Sequence, residues 1–139
     1  MTDSFHPDVR VRDKFIDWIE QFDVRHARMW AHRYNADPQG AMCEAMYWGV
    51  LTDCGVEVEP NADLEGGGAS PDFLCHKHGQ SFYFEATCIQ IHAATDESSL
   101  DHLPKDGTMW YRSLNDLIYG EVKSKTPQCA NLDAPCLLV

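Results

Sequence analysis

Apolar side chains return every three or four residues from about Asp8 to Tyr34, at Phe15, Trp18, Ile19, Phe22, His26, Met29 and Trp30. That period predicts one long amphipathic helix, with Pro7 in its first turn and Asn35-Ala36-Asp37-Pro38 closing it. His26 lies on this face, and a packed histidine is the preferred reading there over a metal ligand. A second helix is predicted from about Pro38 to Asp53, stopped by Gly55, with Ala41, Glu44, Trp48 and Leu51 sharing one face. The period then changes. Val56-Glu57-Val58-Glu59 alternates apolar and acidic positions, as a half-buried strand does, and Pro60 ends it. Asn61 to Ser70 carries three consecutive glycines. It lacks the Gly-Lys-Ser/Thr of a phosphate-binding P-loop, so it reads as a connector, or as a loop able to cover a neighbouring site.

Phe73-Leu74-Cys75 and Phe82-Tyr83-Phe84 flank His76-Lys77-His78-Gly79-Gln80, an apolar–polar–apolar pattern that predicts a β-hairpin with a five-residue turn. Each arm carries an acid: Asp72 opens the first and Glu85 follows the aromatics of the second. Strand alternation puts Tyr83, Glu85 and Thr87 on one face and Phe82, Phe84 and Ala86 on the other. A carboxylate within such an apolar strand is costly unless something positive meets it. Two acids converging from paired strands make a seat for a hard divalent cation such as Mg²⁺. The stretch His92 to Gly107 is polar and reads as a surface insertion. Helical spacing resumes from Trp110 to Thr126, with Leu114, Leu117, Ile118 and Val122 as its stripe. Lys125 falls in line with Leu114 and Ile118, whereas Lys123 points outward. A turn at Asn131 to Pro135 leads to an apolar strand, Cys136 to Val139, whose abrupt stop suggests either a fragment or a protein with an unusually short tail. The order α-α-β-β-β-α-β implies an α/β sandwich with a mixed central sheet.

The 139 residues suit one domain with one core, residues 1–36 forming an N-terminal helical extension to a 38–139 core. No stretch approaches the ~20 apolar residues of a membrane helix. The N-terminus lacks the basic and apolar segments of a signal peptide, so a cytoplasmic protein is expected. Charge bears on partners: 22 acidic against 11 basic residues give −11, whereas nucleic-acid binders usually carry a basic stripe. An acidic chain engages phosphate through bridging cations. Among the six cysteines, Cys75 and Cys88 with His76 and His78 define a zinc alternative, although no pair has the Cys-x-x-Cys spacing.

Pro71-Asp72, followed after 13 positions by Glu85-Ala86-Thr87, resembles the motif of the PD-(D/E)xK nuclease superfamily, with Thr87 where that family has lysine. The resemblance spans roughly Pro38 to Val139 and implies a restriction-endonuclease-like sandwich. It further implies a Mg²⁺ (or Mn²⁺) site at Asp72, Glu85 and the Ala86 carbonyl, joined by the helical Glu44, and hydrolysis of phosphodiester bonds in nucleic acid, DNA foremost. In some members the lysine has moved to the helix after the third strand. Lys125, with Gln128 one turn on, matches that placement, and Thr87 takes the vacated position. Homodimers are common in this fold. The plain alternatives are a surface Glu44, a Glu121–Lys125 helix ion pair, and a binding module that retains the fold without the chemistry.

Overall fold

The computed structural model describes residues 9–61, 70–88, 108–130 and 132–139, with side chains from residue 115 onward in the third segment. The Gly-rich loop over 62–69, the polar stretch over 89–107 and Pro7 lie outside these residues. The described fold is mixed α/β, with four helices and a four-stranded sheet. In chain order these are α1 (Val9–Glu20), α2 (Val24–Ala36), α3 (Pro38–Asp53), β1 (Glu57–Pro60), β2 (Phe73–Lys77), β3 (Gln80–Glu85), α4 (Thr108–Cys129) and β4 (Cys136–Leu138).

The long first helix expected from periodicity is two helices, which adds one element to the expected order. The cause is Asp23. Its backbone is extended and its carboxylate accepts from the Arg25 N–H at 2.7 Å, capping α2. Asp competes with the helix for backbone donors and is far better placed at a cap than within. The break re-aims the apolar face. Phe15, Ile19, Ala27 and Trp30 reach the core, while Phe22 and Met29, expected beside them, are exposed.

The second predicted helix is found as α3, with the same limits. Asp37 caps it by accepting from the Gly40 N–H at 3.0 Å, and Pro38 sits in the first turn. A Cβ at Gly40 would press on the far end of the Asp37 side chain, so the carboxylate would have to shift to keep this cap. At the other end Gly55 has φ 71°, its N–H bonds to Thr52 O, and the Val56 N–H bonds to Leu51 O. This pair of bonds satisfies the last carbonyls of the helix and turns the chain into β1.

The sheet order is β1-β2-β3-β4, antiparallel except for β4, which runs parallel to β3. The hairpin is tighter than the expected five-residue turn. His76 pairs with Ser81 and Lys77 with Gln80, which leaves His78-Gly79, both at positive φ, as a two-residue turn. Val58, Phe73, Cys75 and Phe84 face one way and pack with Phe15, Ile19, Ala27, Trp30, Ala41 and Ala45 in one core. The N-terminal helices therefore complete the same core as the sheet. Cys75 lies within it, while His76 points to the other face and its Nδ1 meets Ser81 Oγ at 2.9 Å. The zinc quartet is not brought together. Among the described residues no helix is long and apolar enough to cross a membrane.

α4 extends further than predicted, through Pro127 to Cys129. Its stripe is only partly covered, with Ile118 and Val122 each 43% exposed.

Candidate functional site

The hairpin register builds the centre of the site. Phe73 pairs with Phe84, so the next positions outward on the two strands are Asp72 and Glu85. Phe84 points into the helical core, and alternation turns Glu85 to the opposite face, toward α4. There Glu85 is only 1% exposed, and its Oε1 accepts from Lys125 Nζ at 2.6 Å. The partner of Lys125 is thus a buried acid 40 positions away, not Glu121 four residues earlier. Glu85 Oε2 is buried and has no hydrogen-bond partner among the described residues. The backbone around Glu85 is fixed by β4: Val139 N–H donates to Glu85 O at 3.0 Å and Thr87 N–H to Val139 O at 2.7 Å.

Asp72 is half-buried, and its Oδ2 accepts from the Ala86 N–H at 2.8 Å. The Asn61 N–H donates to Asp72 O, and the Asn61 side chain donates to Pro71 O, which ties the end of the Gly-rich loop to the start of β2. Burial, then the negative charge of Glu85, pushes the Asp72 carboxyl up to about 6; the Ala86 N–H, Arg33 and Lys125 oppose that rise. Asp72 and Glu85 therefore feel each other's charge.

Glu44 is no surface glutamate. It is 5% exposed, its Oε2 accepts from Trp30 Nε1 at 3.2 Å, and it forms an ion pair with Arg33 Nη2. Thr87 Oγ1 is buried without a partner among the described residues, while the Thr87 carbonyl receives a weak contact from Cys43 Sγ at 3.9 Å. Burial raises the Cys43 thiol to about 11, which keeps it protonated.

A cleft of ≈ 220 Å³ joins these groups, lined among others by Arg33, Glu44, Asp72, Ala86, Thr87 and Lys125. Five of the six predicted site side chains therefore meet. Four line the cleft, and Glu85 lies just behind Lys125. Gln128 does not line it. Arg33 and Asp37 also line the cleft and were not singled out by sequence. Arg33 follows Trp30 by one helical step, so it shares the face of Trp30 whether or not the helix is broken at Asp23.

The donor set suits a hard cation. Asp72, Glu85 and the Ala86 carbonyl offer oxygen only, and the unpartnered Glu85 Oε2 is the kind of buried acceptor a cation would satisfy. Among the described residues no three His, Cys, Asp or Glu side chains come close enough to form a ready cage. Glu44 is held by Arg33 and Trp30. Two carboxylates with water completing the shell is the usual arrangement for Mg²⁺. No family model matches the chain, and no curated protein or solved structure is significantly similar to it.

Proposed function

We propose that this chain is a metal-dependent phosphodiesterase of the PD-(D/E)xK type, with a restriction-endonuclease-like fold, acting on DNA or RNA in the cytoplasm. The observation that carries this reading is the Lys125–Glu85 contact at 2.6 Å beside Asp72. It supports a lysine supplied from α4 in place of the one absent at Thr87. Asp72, Glu85 and the Ala86 carbonyl would hold Mg²⁺ or Mn²⁺. When bound, that ion polarises the scissile phosphate and lowers the pKa of its water. Lys125 offers its remaining N–H donors to the attacking water or to the developing charge on phosphate. Thr87 Oγ1, without a hydrogen-bond partner among the described residues, would orient a water. Asp72 must be ionised to bind a cation, so activity rises with pH through about 6.

The test is cleavage of labelled DNA and RNA in Mg²⁺ or Mn²⁺. Asp72→Asn and Lys125→Met are each expected to lower the rate about 10²–10⁴-fold, the usual worth of such groups. Wild-type rates in Lys125→Met would remove the lysine from the chemistry.

A second reading is a binding module without catalysis, and one observation favours it. Glu85 and Glu44 already face Lys125 and Arg33, so protein cations take the place of a metal. Cleavage by no preparation of the wild type, with metal or without, would favour that module. A homodimer fits either reading, and sedimentation of the purified chain measures it.

A further inference from the structure

We propose that Arg33 is the residue that grips substrate phosphate in this cleft, and that Glu44 is its positioning residue instead of a metal ligand. The inference rests on the phosphodiesterase reading and assigns its anion-binding arm to α2, outside the segment that resembles the nuclease motif.

Three observations carry it. Arg33 lines the same cleft as Asp72 and Lys125 while its side chain stays half exposed, so the guanidinium meets both the buried carboxylate and the open space. Its ion pair engages Nη2. A guanidinium carries five N–H donors in a fixed fork, so the others can face a phosphate bidentately. Glu44 in turn is fixed from behind. Trp30, itself 2% exposed, donates its indole N–H to Glu44 Oε2. Trp30, Glu44 and Arg33 form a relay from the core to the cleft, the arrangement expected of a side chain held ready for a ligand. Arg33 and Lys125 are the cations among the residues lining the cleft, and Lys125 is engaged by Glu85. Phosphate held between a bound cation and Arg33 would explain how a chain of net charge −11 engages nucleic acid without a basic stripe.

The experiment is equilibrium binding of fluorescein-labelled DNA and RNA oligonucleotides in Ca²⁺, beside thermal melts with and without Mg²⁺ in the absence of nucleic acid. Arg33→Ala should weaken oligonucleotide binding about 10- to 100-fold, as loss of charge-assisted bonds does. Arg33→Lys should fall between. Both should keep the wild-type Mg²⁺-dependent rise in melting temperature. Glu44→Gln, which retains an acceptor for Trp30, should also weaken binding and keep the Mg²⁺ response. Arg33→Ala strands the Glu44 charge, so Arg33→Ala/Glu44→Gln is read beside it as the variant whose folding is relieved of that charge. Wild-type affinity in the double variant overturns the proposal and leaves the phosphodiesterase reading standing. A lost Mg²⁺ response in Glu44→Gln with binding intact returns Glu44 to the metal shell and overturns its positioning role. Absence of oligonucleotide binding by the wild type overturns both the grip and the reading beneath it.

Discussion

The two faces of the sheet are covered in opposite ways. On one, Phe73 and Phe84 meet α1, α2 and α3 through a cluster of rings, with Phe15–Trp30 centroids at 4.9 Å and Phe15–Phe73 at 6.3 Å. On the other, α4 leaves Ile118 and Val122 half exposed, and a tie between α4 and the sheet is the ion pair of Lys125 with Glu85. Apolar burial is the main favourable term in folding, so stability concentrates on the first face. A buried ion pair contributes little net stability, because desolvation offsets its attraction. The second face therefore holds Glu85 for some reason other than cohesion, and the adjoining cleft supplies one.

The largest effect should come from the aromatic face. Phe15→Ala should cost about 3–5 kcal/mol in urea unfolding, by lost burial and a cavity, whereas Ile118→Ala on α4 should stay within about 0.5 kcal/mol. Equal costs would erase the contrast between the faces.

A second effect separates the faces by pH. The Asp72 carboxyl is raised to about 6 in the folded chain from an ordinary 3.8. Between these values the folded state binds more protons than the unfolded one. The stability given by a neutral Asp72 is therefore complete below about pH 4 and is lost as pH rises through about 6. Without metal, Asp72→Asn should melt higher than wild type at pH 8 and lose this part of the pH dependence. A lower melting temperature at pH 8 would show that Asp72 is stabilised by its setting, not strained by it.

The smallest effect should come from the cap that divides α1 from α2. Asp23→Ala should cost about 1 kcal/mol. A gain in stability would mean that the chain prefers the continuous helix its periodicity predicts.

Legibility followed how local the determinant was. The alternation at β1, the limits of α3 and the apolar arms of the hairpin rest on neighbouring residues, and they were readable. The convergence of Asp72 and Glu85 on paired strands was readable, but their register was not: a five-residue turn over His76 to Gln80 sets Asp72 opposite Phe84, and the two-residue turn at His78-Gly79 sets it opposite Glu85. The break at Asp23 was not readable either, because an unbroken apolar period outweighs one capping residue in any periodicity argument. Arg33, one helical step past Trp30, carries no apolar signal, so a stripe traced through apolar residues ends before it. Two readings stood open for Glu44, and its burial depends on Trp30 and Arg33, which arrive from a helix the spacing had merged with another. The partner of Lys125 is 40 residues away and required the tertiary fold, although its stripe position marked it as inward. Gln128, one turn beyond Lys125, shares the helix without lining the cleft.

Every role proposed for the cleft depends on Asp72 and Glu85 forming a cation seat served by Lys125. The most direct measurement is the melting temperature at pH 7.5 with Mg²⁺, with Mn²⁺ and with EDTA, for wild type and for Asp72→Asn. A metal-dependent rise is expected in the wild type and not in Asp72→Asn. An equal rise in both proteins, or none in the wild type, would contradict it.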